Sequence, residues 1–267
     1  MESPSPTPPT PEPEALAPVP PAPVVPARGG LRLWAALLSL LPLGCATVPV
    51  REPPAQREVP VLLVHGIDDD HRTLGTLREH LLAAGFADVE AVDLQPNDGS
   101  GGLPPLAHQV RDAADRLRAR TGAARVDVVA FSMGALVTRY WLMRLDGKPT
   151  VRRFVSISGP HHGTLTAYLG RNEGVRQMRP NSPLLADLAR DEGEWAPVEV
   201  VSFWTPLDLM IFPASSSVLA GATHRSFPVP AHPLMLHDRR VLEAVVEALR
   251  ARRPGDVPAP AAYPRWP

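Results

Sequence analysis

The chain has 267 residues, 44% of them hydrophobic, with a formal net charge of -1 and a pI near 6.8. That length accommodates one globular domain with extended ends. A near-neutral balance without a basic run excludes nucleic acid as the main partner, because phosphate binding needs clustered Lys and Arg.

In chain order, residues 1–30 form a Pro-rich lead, with eleven prolines among the first 26 residues. Such a composition predicts extended or disordered chain. Residues 31–45 follow as an apolar run of signal-peptide length, flanked by Arg28 and Arg32 and ending in Gly44-Cys45. The run is too short to span a bilayer comfortably and reads as an export signal. Small residues around Cys45 resemble a bacterial lipoprotein cleavage site, which implies that Cys45 is lipidated and attaches the mature protein to a membrane; the alternative reading is a signal anchor, or an ordinary secretory signal with an incidental Cys that releases a secreted protein. Leu43 and Pro42 depart from the lipoprotein pattern. A signal peptide of ordinary length would follow if translation began near Val24 or Val25. As the only cysteine, Cys45 has no partner for a disulfide within the chain.

Residues 46–58 read as a linker, residues 59–252 as the folded domain, and residues 253–267 as a second Pro-rich segment. Within the domain, residues 59–66 form a buried strand ending in a Gly turn. Leu74, Leu77, Leu81 and Leu82 mark one helix face, residues 88–94 a short strand, and Leu106, Val110, Ala113 and Leu117 another helix, stopped at Gly122. Residues 126–131 are a strand that turns helical after Ser132, and residues 151–158 and 198–205 are two more. Residues 227–230 read as a last short strand. Val241, Leu242, Val245, Val246 and Leu249 mark a final helix capped by Asp238. Strands alternating with helices predict a mainly parallel central sheet with helices on both faces.

In such a sheet, ligands bind beyond the carboxyl ends of the strands. Ser132 stands at one of these ends, between the small residues Ala130 and Gly134, as a sharp strand-to-helix turn with an exposed nucleophile requires. A serine hydroxyl needs a base, and the base an orienting carboxylate, in the order Ser, acid, His. Asp208, just past the strand over 198–205, is the expected acid; Asp187 and Asp191 read as solvated surface charge. Among the later histidines, His224, His232 and His237, the loop position favours His232 as base, and His237 is expected at the helix end beside Asp238. Oxyanion donors are expected from the backbone N–H groups of Ile67 and Met133.

These motifs, with the Pro-His-His-Gly-Thr stretch at 160–164, resemble the bacterial triacylglycerol lipases and esterases of the α/β-hydrolase fold over about 190 residues. The resemblance implies hydrolysis of lipid or short-to-medium acyl esters through an acyl-enzyme, with Ser132 as nucleophile, Asp208 and His232 completing the triad, and no cofactor. It matches no metal site here, so His161 and His162 are expected to shape the loop and not to bind a metal. Acyltransferases, phospholipases and thioesterases share the same triad, and a non-catalytic envelope lipoprotein could keep the scaffold. The segment between the strands over 151–158 and 198–205 is long enough to cover the site; its Leu165, Tyr168, Leu169, Met178, Leu184, Leu185 and Leu188 either contact an acyl chain or pack on the sheet.

Overall fold

A computed structural model describes residues 59–251. The expected signal segment, Cys45, the linker and both Pro-rich ends lie outside the described residues. Six strands, β1 (Val61–Val64), β2 (Val89–Val92), β3 (Val126–Phe131), β4 (Val151–Ile157), β5 (Glu199–Trp204) and β6 (Thr223–Ser226), form one sheet in the order β2-β1-β3-β4-β5-β6. Every pairing is parallel, as crossover connections dictate. The helices are α1 (Gly75–Ala83), α2 (Leu103–Thr121), α3 (Met133–Arg144), the short α4 (Glu173–Gln177) and α5 (Pro183–Leu188), and α6 (Arg239–Arg250).

The sheet is central because β1 and β3 are buried along their whole length. Two apolar layers cover it. One packs α2, α3 and the β4–β5 insertion against Leu62, Val64, Val128 and Ala130; the other packs α1 and α6 against Val61, Leu63, Val129 and Phe131. Alternate residues of the same strand thus serve opposite layers, as the two-residue period requires. On α2 the buried residues Leu103, Leu106, Val110, Ala113 and Leu117 repeat at three- and four-residue steps, each Leu or Val contributing about 1.5–3 kcal/mol. The helix stops at Gly122, whose φ of 71° is the left-handed cap position a glycine tolerates. Polar residues inside the sheet are paired: Asp127, fully buried on β3, accepts from Arg152 on β4.

Four expectations need correction. The last strand is Thr223–Ser226, not 227–230. Its four residues are polar and exposed, so an edge strand hides from a search for apolar runs, while Phe227 and Val229 are buried just after it. Leu82 is 37% exposed and leaves the buried face of α1 to Leu77 and Leu81. Asp187 and Asp191 are not simply solvated charge. They flank the Arg144 guanidinium at 2.6 and 2.5 Å and tie the insertion to α3. His237 does not serve the α6 end. Its Nδ1 lies 3.0 Å from the Thr76 hydroxyl of α1, while Asp238 caps α6 by accepting from the Arg240 N–H.

Candidate functional site

Ser132 is the residue between β3 and α3, with φ 53° and ψ -125°. L-residues rarely adopt such a conformation, and holding it costs on the order of 1–3 kcal/mol, so the surroundings must impose it. They do so from both sides. The Ser132 N–H donates to the Ile157 carbonyl of β4 at 2.9 Å, and its carbonyl accepts the Ala135 N–H at 3.0 Å. Two residues on, α3 passes against the end of β1. A Cβ on Gly134 would stand 2.2 Å from the His65 carbonyl oxygen and 2.9 Å from Val64. The glycine of the elbow is therefore fixed by a close approach of backbone.

Asp208 and His232 meet directly. His232 Nδ1 lies 2.7 Å from Asp208 Oδ2, with both side chains buried. The other carboxylate oxygen accepts the N–H groups of Met210 and Ile211 at 2.9 and 2.8 Å, so the acid is held from two directions. The segments bearing the pair are stitched together by Thr205, which donates to the Val229 carbonyl at 2.6 Å. The His232 ring packs on Phe131, the residue before Ser132, with centroids 4.7 Å apart. With Nδ1 donating to the carboxylate, Nε2 is left as an acceptor, and it is buried with no hydrogen-bond partner. No hydrogen bond joins it to Ser132 in this state. Of the other histidines considered as base, His237 faces Thr76 and His224 lies on the exposed edge strand β6.

Ser132 and Ile67 line one cleft of about 250 Å3, together with Thr164, Thr166, Ala167, Gly170, Val175, Met178, Met210 and Ile211. Met133 opens α3, where the first N–H groups have no intrahelical acceptor. Among the described residues, the N–H groups of Ile67 and Met133 take no part in the turn, loop and cap hydrogen bonds.

Three residues to which the sequence assigned no specific role hold this cleft. His65 is fully buried at the end of β1. Its Nε2 accepts the Leu94 N–H at 2.9 Å, so Nδ1 carries the proton and donates to the Gly66 carbonyl at 2.8 Å. That carbonyl shares a planar peptide with the Ile67 N–H and points the opposite way, so fixing one aims the other. Asn97 pins the next residues: its carbonyl accepts the Asp68 N–H and its side-chain amide donates to the Asp69 carbonyl. Thr164 clasps the loop after Asp208, its hydroxyl donating to the Met210 carbonyl at 2.8 Å and accepting the Phe212 N–H at 2.9 Å. The His-Gly and Gly-Thr dipeptides were the only sequence signals, and neither names the distant partner.

The two histidines of the 160–164 loop sit in different surroundings. His161 is buried, with Nε2 2.7 Å from the Ser156 hydroxyl, and burial holds its pKa well below the ordinary 6.5. His162 faces Glu192 at 3.0 Å, and that hydrogen bond raises its pKa. Burial opposes ionisation of Glu192, yet His162, the Ala220 N–H and Arg139 hold its pKa down at about 2. Arg139, buried on α3, also donates to the His161 and Leu188 carbonyls and so ties the loop to the insertion. Among the described residues, no three His, Cys, Asp or Glu side chains converge as metal ligands.

The insertion divides its apolar residues. Met178, Leu185 and Leu188 are buried, whereas Leu165, Tyr168 and Leu169 are 48%, 57% and 88% exposed.

The parallel sheet and its flanking helices superpose on solved structures of one fold. The lipase B of Aspergillus fumigatus superposes with a TM-score of 0.66 at 21% identity, over 74% of this chain and 54% of that one. The chain has the α/β-hydrolase fold. A Listeria innocua protein superposes with a TM-score of 0.59 at 15% identity, over 73% and 95% of the two chains. The mature lipase BlEst2 of Bacillus licheniformis gives 0.58 at 14%, over 74% and 94%. The chain thus spans about half of the Aspergillus lipase and most of the two bacterial chains. Residues 60–189 also match the palmitoyl protein thioesterase family. That match takes in β1, Ser132 and most of the insertion, and ends before Asp208 and His232.

Proposed function

We propose that this α/β-hydrolase cleaves carboxylic esters of apolar acyl groups through an acyl-enzyme on Ser132. The observation that carries the proposal is the buried Asp208–His232 pair, whose Nε2 has no hydrogen-bond partner and whose ring packs on Phe131, the residue before the strained serine. A buried nitrogen without a partner costs about 1–3 kcal/mol and persists where a function needs it. In the proposed cycle, His232 Nε2 takes the Ser132 proton as the hydroxyl oxygen bonds to the acyl carbon. The carbonyl oxygen becomes an oxyanion on the Ile67 and Met133 N–H groups, and His232 then returns the proton to the departing alcohol. Water, deprotonated by the same nitrogen, releases the acid and restores the serine. Asp208 keeps the ring in the required tautomer and stabilises the transient imidazolium.

Hydrolysis of p-nitrophenyl octanoate by the wild-type chain and by Ser132→Ala tests the reading. The alanine variant is expected to lose three orders of magnitude or more in kcat; turnover that survives the substitution overturns it. A second reading, thioester hydrolysis, is favoured by the match of residues 60–189 to palmitoyl protein thioesterases. The same triad serves both, since only the leaving group differs. An octanoyl thioester assayed beside the oxyester separates them by the ratio of kcat/KM.

We further propose that the protein is exported and held at the cell envelope through lipidated Cys45. Incorporation of a labelled fatty acid that disappears in Cys45→Ser supports this; equal incorporation in both proteins refutes it.

A further inference from the structure

We propose that the cleft beside Ser132 houses about the first eight carbons of an acyl chain and leaves any longer chain outside, so that the substrates are medium-chain acyl esters. The inference rests on Ser132 being the acyl-transfer nucleophile and adds to it a chain length.

Two independent observations carry it. The first is the size and lining of the cleft. Its volume is about 250 Å3, and at about 30 Å3 for each methylene-sized group, the share of one liquid water, it holds about eight. Ile67, Ala167, Val175, Met178, Met210 and Ile211 supply apolar walls. The two threonine hydroxyls in the wall are already engaged, both donating to the Met210 carbonyl. Apart from Ser132 the wall therefore offers no free polar side-chain group for a headgroup, and an apolar chain is the occupant it suits.

The second observation concerns what lies outside. Nine large hydrophobic side chains among the described residues are exposed, and eight of them sit at residues 165–169, 207–212 and 234. These are the segments that carry the cleft wall, Asp208 and His232. The backbone of Leu165 bonds to that of Phe212 at 2.8 Å, so the first two segments form one surface. Carbons beyond the eighth meet this rim. There they stay partly in water, so each of them gains less than a carbon enclosed in the cleft.

Chain length then acts in two regimes. Each methylene enclosed raises kcat/KM about fourfold, and each one on the rim raises it little. The experiment is a series of p-nitrophenyl esters of two to twelve carbons, each kept below its critical micelle concentration. The expected plot of log kcat/KM rises steeply to about eight carbons and then flattens. Ala167→Leu, which puts three more carbons into the wall, should move the break to about five; Val175→Phe, at a less buried position, should shorten it as well and guards against misfolding of the first variant. Met178→Ala should lengthen it. A slope that continues unbroken to twelve carbons, or a break that stays in place in every variant that folds, overturns the proposal. Labelling of Ser132 by a short fluorophosphonate in the same samples separates the two failures: labelled enzyme with the wrong chain profile refutes the cleft, and unlabelled enzyme refutes the hydrolase.

Discussion

Replacing His65 separates a positioning role from a structural one. The side chain makes two buried hydrogen bonds, accepting from the Leu94 N–H and donating to the Gly66 carbonyl. In His65→Leu both are lost, and Leu94 is left with an unsatisfied buried N–H, a cost of about 1–3 kcal/mol. The catalytic effect is separate. Removing an oxyanion donor outright costs about a hundred- to a thousandfold in kcat. His65→Leu keeps the Ile67 N–H and frees only its aim, so the loss should be smaller, about ten- to a hundredfold, with KM little changed. His65→Asn is the discriminating variant. Its side-chain amide can donate to the Gly66 carbonyl as Nδ1 does, yet it cannot reach Leu94. It should lose stability nearly as Leu does while retaining most of kcat. The readouts are kcat and KM on p-nitrophenyl butyrate, the second-order rate of fluorophosphonate labelling and a thermal unfolding curve. Equal losses of kcat in Asn and Leu that track the loss of stability, or wild-type kcat in Leu, would refute the reasoning.

Glu192→Gln should destabilise the fold. The carboxyl is depressed from 4.5 to about 2, which corresponds to about 3 kcal/mol at most. A depressed carboxyl contributes above its unfolded pKa, so that stability is complete above pH 4.5 and fades as the pH falls toward 2. The raised pKa of His162 acts oppositely: its share is complete below pH 6.5 and is lost as the pH climbs through the raised value. The cost of the substitution should therefore peak between about pH 5 and 6.5, and urea midpoints taken at pH 3, 6 and 8 check it. Gly134→Ala should cost more than the usual 1–3 kcal/mol of overpacking, because its Cβ would stand 2.2 Å from the rigid His65 carbonyl; a variant with wild-type melting temperature would show that β1 and α3 can part.

The elbow was legible in the sequence because its physics is local. A buried strand, a serine flanked by small residues and a helical apolar pattern lie within 14 consecutive residues. The parallel sheet was legible for a related reason, since β1 is an apolar run, β3 is apolar but for Asp127, and α2 and α6 carry faces at helical spacing. Edge strand β6 was not, because Thr223–Ser226 buries nothing and owes its place to pairing with β5. The supports of the site were also hidden. His65 acts through Leu94, 29 residues away, Thr164 through Met210, 46 away, and Arg139 through Glu192, 53 away. No periodicity encodes such contacts; they arise only once the strand ends converge. The insertion escaped because burial and exposure divide within it, Met178 turning inward while Leu169 stays in water.

The most direct test is intact mass after a fluorophosphonate is added to the folded chain, followed by peptide mapping. The account predicts a single adduct on Ser132, prevented by Ser132→Ala and greatly slowed by His232→Ala. An unmodified protein, or an adduct on another residue such as Ser158, would contradict it.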